Sequence, residues 1–547
     1  MTYYLGIASS AMGDLGHDPS ACLIKNNKIV AMAEEERFVR VKHAKGYFPV
    51  NAVKYCLKHE NISLDDVKIG YYLNPKLFTK GRKTLSLLIG AWRMNDYVKR
   101  MPKNFKFHFG IEPKINFIEH HVCHVYSSFP LSGFKRAVTV SMDGAGERTS
   151  TLITSCGSNI EKDREIYAPN SLGFFYALFT EWLGFRKFNG EGKVMGLASY
   201  GDPKYDLSKF IGFKDGAHHV KIPNRFFSTE TWNLWSYHKE IQKKFGPRRT
   251  GKIQKIHEDV AASVQNKLEE VVLKMLEKIE TKNLCLAGGV ALNCKMNGRI
   301  LESDFVKDIF IQPVANDAGC SLGAAVYMAM QDGKKFKKME HTCLGPEFSN
   351  DEIKTILKTC KIEYEYHNDI AGIAAELLAK GKIIGWFQGR MECGPRALGN
   401  RSILADPRDP DMKDKINYLV KHREPWRPFC PSILAEANDE YFENAYESPF
   451  MILTFRVKKE KLKEIPSVVH VDETVRPQTV EKNINPLYYK LIKNFYEETN
   501  IPLILNTSFN IRGEPIVCKP EDAIRTFYGT GMDYLILGNF LIRKKGM

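Results

Sequence analysis

Long hydrophobic runs are missing from the 547-residue sequence. None of its apolar stretches approaches the roughly 18–20 residues that cross a bilayer, so no membrane span is expected. The N-terminus, Met1-Thr-Tyr-Tyr-Leu-Gly-Ile7, has neither a basic n-region nor an apolar h-region. No signal peptide is expected, and the reading is cytoplasmic. The twelve cysteines form no CxxC pair and no zinc-ribbon spacing. A disulfide framework is therefore not expected, and the cysteines read as reduced, mostly buried thiols. Low-complexity tracts and solenoid periods are also absent from the pattern. Negative charge is in deficit: 79 Lys and Arg against 64 Asp and Glu give a formal net charge of +15. That balance attracts anions, whether nucleic acid or small substrates, and a merely solvated basic surface is the plain alternative. The densest basic stretches, 80–106 and 239–255, match no RNA-binding signature, so nucleic acid is not an expected partner. At 44% apolar and 26% charged, the chain reads as a soluble globular protein of two to four domains.

Strand signals open the chain. Tyr4–Ala8 is a short apolar strand, and Ala21–Ala31 reads as a hairpin turning at Asn26-Asn27. The pattern returns at 137–142, where Ala-Val-Thr-Val-Ser-Met runs into Asp143-Gly-Ala-Gly-Glu147 before a strand resumes at 150–154. Strand, polar loop and returning strand thus occur twice, which hints at a duplicated half. The 171–184 stretch predicts an apolar helix. Residues 257–280 predict another, with Val260, Val264, Leu268, Val271, Met275 and Ile279 as its core stripe. Asn283–Ala287 reads as a buried strand, Gly288-Gly289 as a turn, and 290–293 as a helix start, an arrangement that suits an anion. Polar composition from 330 to 350 marks a domain boundary. Beyond it, the pattern predicts a helix over 369–380 and strands over 383–387, 501–505 and 534–537.

Four groups of polar residues stand out. His120 and His124 are four apart, so on a helix they share a face and can grip one metal ion; two polar helix residues are the plain alternative. Asp143 and Asp317 each follow a strand, where a carboxylate suits a metal or, with glycines, a phosphate. Glycines on either side of Lys193, in Gly190-Glu-Gly-Lys-Val-Met-Gly196, would let backbone approach a ligand or simply form a tight loop. In the C-terminal half, arginines crowd Gly389–Ser402 and Lys421–Arg427, with Arg476 and the Asn506-Thr-Ser-Phe-Asn510 stretch nearby in the pattern. Guanidinium forks suit phosphate and carboxylate oxygens, although surface ion pairs would use the same residues.

Taken in order, the motifs His17-Asp-Pro-Ser-Ala21, Glu34-Glu-Glu-Arg-Phe38 with Lys42-His43, His120-His-Val-Cys-His124, Asp143-Gly-Ala-Gly-Glu147, Glu191-Gly-Lys-Val-Met-Gly-Leu197, Gly288-Gly-Val-Ala-Leu-Asn293, Asn316-Asp317, Glu392–Ser402, Lys421-His-Arg-Glu424, His470-Val-Asp472 and Asn506–Asn510 resemble those of O-carbamoyltransferases of the nodulation-protein and antibiotic-tailoring type. The resemblance covers nearly the whole chain. It implies an α/β fold: a TsaD-like, duplicated actin-like (ASKHA) domain over 1–340 for carbamoyl transfer, then a YrdC-like α/β domain over 341–547 for activation. It implies metal ligands at His120, His124, Asp143 and Asp317, with iron(II) or another divalent ion, and a general base at His17. Around the nucleotide it implies Lys42, Gly144, Ala145, Gly146, Glu147, Lys193, Gly288, Gly289 and Asn293. For carbamoyl phosphate it implies Arg396, Lys421, Arg427, Arg476 and Ser508. The loop from Ser9 to Gly16 is longer and richer in glycine than the family's usual turn before the histidine.

The implied chemistry starts from carbamoyl phosphate and ATP with Mg2+. Carbamate released from the first would be adenylated, pyrophosphate would leave, and the carbamoyladenylate would pass within the protein to an acceptor hydroxyl. Enclosure protects such a mixed anhydride from water. A histidine suits the base role because its ordinary pKa, about 6.5, lies near neutrality. The basic aromatic stretches 75–110 and 203–255 are expected to wall the acceptor, a small molecule or sugar that composition does not name. A homodimer is compatible with the sequence. Two other readings share the N-terminal fold: a tRNA threonylcarbamoyl transferase and a non-enzymatic actin-like nucleotide-binding regulator. The cationic cluster of the second domain speaks against the first, and the intact His17, His120, His124, Asp143 and Asp317 against the second.

Overall fold

The computed structural model describes residues 1–9, 17–78, 94–220, 235–279 and 281–544, with the backbone alone for 235–238. The loop before His17 (10–16), much of the two stretches expected to wall the acceptor (79–93 and 221–234) and Glu280 lie outside the described residues. By packing, the chain forms two units: unit 1 is Met1–Glu35 with His43–Met339, and unit 2 is Glu36–Lys42 with Glu340–Met547.

Unit 1 is built twice on one plan. Its first sheet contains β1 (Tyr3–Ala8), β2 (Ser20–Lys25), β3 (Lys28–Glu34), β4 (Val67–Tyr71) and β5 (Ile115–Phe117), in the order β3-β2-β1-β4-β5. Its second contains β6 (Ala137–Met142), β7 (Thr149–Cys156) and β8 (Ile160–Tyr167). A small hairpin of β9 (Ile211–Lys214) and β10 (Ala217–Val220) follows, and β11 (Asn283–Ala287) and β12 (Asp308–Ile311) return to the second sheet, whose order is β12-β11-β6-β7-β8. In both sheets three consecutive strands form an antiparallel meander. The two later strands then add in parallel beside the first strand of the meander. The duplication hinted at by two hairpins is thus a property of ten strands.

The same wiring places the loops. The β2–β3 hairpin turns at Asn26, whose φ of 56° an asparagine tolerates. In each half, the first strand of the meander is the central strand of its sheet: β1 ends at Ala8, ahead of His17 in the chain, and β6 ends at Met142, next to Asp143. The helix Ala318–Gln331 packs on β1 and on the helix His120–Ser128 at close quarters. A Cβ at Gly6 would overlap the Ser321 carbonyl, and one at Gly323 the Cys123 carbonyl. Glycine is what lets these backbones touch.

Two local expectations are corrected. Residues 191–197 form a helix rather than a glycine loop, because Val194 and Leu197 bury against neighbouring helices. Asn506, Thr507 and Ser508 lie within the strand Leu503–Ser508 rather than after it.

Unit 2 carries an eight-stranded mixed sheet in the order Glu365–Tyr366, Phe540–Arg543, Tyr534–Leu537, Ile384–Phe387, Arg401–Ala405, Leu503–Ser508, Cys430–Leu434 and Gln478–Val480. The strap 36–42 belongs to this unit. Arg37, buried, donates to Gly394 O at 2.6 Å, and Arg40 donates to Ile516 O at 2.6 Å and Pro515 O at 2.9 Å. Among the described residues no helix is long and apolar enough to cross a membrane, and all twelve cysteines are free.

Candidate functional site

The helix His120–Ser128 starts where β5 ends, and its first residues carry the site. Glu147 holds that start in place. Its buried carboxylate accepts from the His120 N–H at 3.2 Å and from the Asn74 N–H at 2.6 Å. Burial pushes Glu147 up to about 8 even so. The carboxylate thus satisfies a backbone N–H at the helix start.

One turn apart, His120 and His124 bring their Nε2 atoms to 3.1 Å of each other. Asp143, at the end of β6, sets Oδ2 3.4 Å from His120 Nε2 and 3.2 Å from His124 Nε2. Asp317, at the N-terminus of the helix Ala318–Gln331, sets Oδ1 3.8 and 4.0 Å from the same two atoms. One ligand atom from each of the four lies within 4.8 Å of every other. His121, between them, is excluded: Ser141 Oγ and Thr149 O occupy its two ring nitrogens at 2.8 and 2.9 Å.

The electrostatics of this cluster are unbalanced without a cation. Burial pushes His120 down to about 4, so it is a neutral imidazole with a lone pair to give. Burial alone would raise Asp143, but hydrogen bonds with His120 and His124 hold it well below the usual carboxylate range. Burial, and then the charge of Asp143, push Asp317 well above that range. Two imidazoles and two carboxyl groups, once Asp317 gives up its proton to a bound cation's field, form a donor set for a divalent transition ion. Among the described residues the Nδ1 atoms of His120 and His124 have no hydrogen-bond partner, so packing rather than a second layer of described acceptors orients the rings. The residues fit a divalent ion.

Glycines shape the rim. A Cβ on Gly146 would come within 2.7 Å of His120 Cβ, and one on Gly289 within 3.2 Å of Asp143 Oδ1. Gly144 donates its N–H to Asp143 Oδ1 at 2.6 Å, and Ala145 is half-buried beside it. Gly288 turns the chain after β11 with φ 85°. Asn293 Oδ1 caps the helix Cys294–Leu301 through Met296 N at 3.0 Å, and its Nδ2 donates to Gln265. Lys193 lies on the helix Glu191–Leu197 with Nζ 5.4 Å from the Phe185 ring centre.

His17 stands at the near edge of the described residues, in reach of the field of Asp317 and Asp143. Its Nδ1 is 2.9 Å from Asp18 Oδ2. Burial alone would lower His17; Asp18, with Asp317 and Asp143, outweighs it and raises the imidazole to about 10. Two of those carboxylates belong to the four-residue cluster. A divalent cation there would cancel their charge and move His17 back toward a base. Three neighbours of His17 that sequence reasoning gave no role also appear. His43 Nδ1 meets Asp18 Oδ1 at 2.7 Å, Asn316 Nδ2 donates to Asp18 Oδ2 at 2.9 Å, and the Phe188 ring stacks on His17 with centroids 6.2 Å apart. The dipeptides His17-Asp18, Lys42-His43 and Asn316-Asp317 carried the signal, unread.

In unit 2 the cationic residues form a group of their own. Lys421 ends a π-turn, Asn417–Lys421, of the sort that often marks functional sites. Its buried Nζ donates to Ser508 O at 2.6 Å, Asn510 Oδ1 at 2.7 Å and Asn510 O at 2.9 Å. Burial, then the charges of Arg423, Arg427 and Lys42, hold Lys421 well below the usual lysine range. Lys42, expected beside a nucleotide in the first domain, therefore packs in unit 2. Arg427 and Arg476 both bear on Arg423, and Arg476 Nη2 lies 2.9 Å from Cys430 Sγ. Arg396 is half-buried in the loop that Glu392 organises by accepting from Leu398 N, Asn400 N and Arg401 N at 2.8, 2.7 and 3.1 Å. Arg401 itself is spent on carbonyls, donating to Pro346 O and Gly389 O at 3.1 and 3.0 Å.

Comparison with known proteins matches these parts in order. A family model described as carbamoyltransferase N-terminus matches residues 10–109 and 107–326, and one described as carbamoyltransferase C-terminus matches 375–544. An uncharacterized protein of Synechocystis sp. is 39% identical over 605 residues, covering 100% of this chain and 97% of that protein. The nodulation protein NolNO of Sinorhizobium fredii is 38% identical over 557 residues, covering 97% and 79%. A 3'-hydroxymethylcephem-O-carbamoyltransferase of Amycolatopsis lactamdurans is 30% identical over 263 residues, covering 48% and 49%. Among solved structures, full-length HypF in its phosphate- and nucleotide-bound form is similar at 14% identity and a TM-score of 0.34, covering 60% of this chain and 55% of that one.

Proposed function

The chain belongs to the carbamoyltransferase family, and on that footing we propose that it is an ATP-dependent O-carbamoyltransferase that makes carbamoyladenylate from carbamoyl phosphate and ATP and passes the carbamoyl group to a hydroxyl of a small molecule or sugar. The observation that carries the proposal is the convergence of His120, His124, Asp143 and Asp317 on one point, with His17 in electrostatic reach of it.

Unit 2 does the activation. Lys421, Arg427, Arg476, Arg396 and Ser508 bind carbamoyl phosphate, whose oxygens suit the guanidinium forks and the ammonium of this cationic group. Water cleaves that mixed anhydride to carbamate and phosphate; a carbamate oxygen then attacks the α-phosphorus of ATP, which enters as its Mg2+ complex, and pyrophosphate leaves. Unit 1 does the transfer. His120, His124, Asp143 and Asp317 hold a divalent ion, iron(II) in this reading, which when bound supplies Lewis-acid polarisation and charge neutralisation. The backbone of Gly144, Ala145, Gly146, Gly288 and Gly289 approaches the adenylate, since glycines and one methyl group leave it accessible, and Lys193 pairs with its phosphate. His17 Nε2 takes the proton of the acceptor hydroxyl. The acceptor oxygen then bonds to the carbamoyl carbon, the bond from that carbon to the AMP oxygen breaks, and AMP carries the electron pair away.

The two halves of this reaction can be separated. His17→Ala is expected to fold and to keep carbamoyl phosphate-dependent exchange of pyrophosphate into ATP, while a panel of hydroxyl compounds gains no carbamoyl group by mass spectrometry. Carbamoylation by the variant at the wild-type rate would refute the base assignment, and loss of the exchange reaction would refute the division of labour.

A further inference from the structure

Around His17, four non-glycine residues of unit 1 hold the left-handed backbone region: Asp18 (φ 57°), His43 (φ 64°), Ala44 (φ 36°) and Phe188 (φ 60°). Such conformations are costly for residues with a Cβ and persist where the surroundings enforce them. What they enforce here is the attitude of one carboxylate. Asp18 is buried, and its backbone N–H donates to His43 O at 2.9 Å. Its Oδ2 receives His17 Nδ1 at 2.9 Å and Asn316 Nδ2 at 2.9 Å, and its Oδ1 receives His43 Nδ1 at 2.7 Å. A carboxylate only accepts, so each imidazole must present its proton at Nδ1. The Nε2 of His17 is then the nitrogen left to take a proton. The Phe188 ring lies beside the His17 ring with centroids 6.2 Å apart, and the Phe188 N–H donates to Glu191 Oε1 at 2.7 Å.

We propose that Asp18 is the positioning residue of the acceptor base: it fixes His17 in the Nδ1–H form and, through Asn316, ties the loop carrying His17 to the loop carrying Asp317. His43 is the counterweight, since it holds the second oxygen and stops the carboxylate from turning. The inference rests on the proposed base role of His17. It adds that the base is useful only while three separate segments, 17–18, 43–44 and 316–317, share one carboxylate. Asp18 does not touch the acceptor; it acts through His17, as an aspartate behind a histidine base does elsewhere.

The test uses the full chain, 15N-labelled at histidine and loaded with its divalent metal. Imidazole N–H protons bonded to a carboxylate resonate at low field in either charge state. Two such signals are expected, one lost in His17→Gln and the other in His43→Gln. Both are lost or moved upfield in Asp18→Asn, whose thermal midpoint stays within a few degrees of wild type. With glycerol as the probe acceptor, Asp18→Asn is expected to lower kcat on the order of 10²-fold. KM for glycerol and the pyrophosphate exchange rate should hold, and Asp18→Glu should recover part of the loss. If Asp18→Asn keeps both low-field signals, the clamp is wrong whatever the turnover. If it loses them but transfers at the wild-type rate, the positioning role is wrong. If His17→Gln transfers normally, it is the base assignment beneath the inference that fails instead.

Discussion

Asp259 sits near the start of the long helix Lys255–Glu277 with its side chain almost wholly covered. Lys204 and Lys255 approach its oxygens at 2.6 and 3.1 Å, and the Asp202 N–H donates at 2.9 Å. Burial alone would raise this carboxyl; the backbone N–H and the two lysines hold it down at about 2 instead. A folded value below the unfolded one means stability that is present above pH 4 and is lost as pH falls toward 2. Because both lysines are half-exposed, the contribution is on the order of 1 kcal/mol. Asp259→Asn should lower the thermal midpoint at neutral pH and flatten the fall between pH 4 and 2, readable by calorimetry across a pH series. Residues of one type part company in the same way elsewhere. The spacing of His120 and His124 sets them on one face of the helix, and Ser141 and Thr149 occupy both ring nitrogens of His121 between them. Arg396 and Arg401 belong to one motif, but Arg401 is consumed by carbonyl oxygens. Residue type was readable from the chain; which partner claims each side chain depends on segments hundreds of positions away.

Elements fare differently, because hydrophobic period and glycine placement act locally. The helix at 255–277, the hairpin at Asn26 and the strand that delivers Asp143 are all visible in apolar spacing and turn residues. The glycine-rich 191–197 helix was misread because its two interior glycines weaken a helix signal that tertiary burial of Val194 and Leu197 restores. The least legible element is the pairing of Ala318–Gln331 with His120–Ser128, since nothing in Gly319-Cys-Ser-Leu-Gly323 says which backbone the small residues will meet. That pairing brings Asp317 to the two histidines. Gly323 faces the Cys123 carbonyl with no room for a methyl group. Gly323→Ala should therefore push the two helices apart, at a cost of about 1–3 kcal/mol. Metal content, measured by elemental analysis after dialysis against the ion, should fall well below one per chain while the C-terminal chemistry persists. Wild-type metal content in that variant would show that Asp317 does not depend on the close approach.

At the scale of the molecule, the unexpected feature is a strap. The chain leaves unit 1 after Glu35, spends 36–42 in unit 2 and returns at His43. The sequence reading drew its boundary as a single cut near residue 340, because composition changes there and does not change at 36–42. Within unit 2 the strap is structural: Arg37 is buried against Gly394 O, and Arg40 spans the carbonyls of Pro515 and Ile516 and pairs with Asp522 at 3.4 Å. It also delivers Lys42 to the cations around Lys421. A fragment of residues 340–547 lacks all of this. Hydrogen bonds from charged donors are worth about 1.5–3 kcal/mol each, so losing three should remove several kcal/mol. For a body of this size that is a fall of about 10 °C or more in melting. Adding a synthetic peptide of residues 35–43 should raise the fragment's midpoint in proportion to the logarithm of peptide concentration above its dissociation constant. The same peptide carrying Arg37→Ala and Arg40→Ala should do nothing. A fragment indifferent to both peptides would mean that the eight-stranded sheet is complete by itself and that the strap matters only as a tether for Lys42.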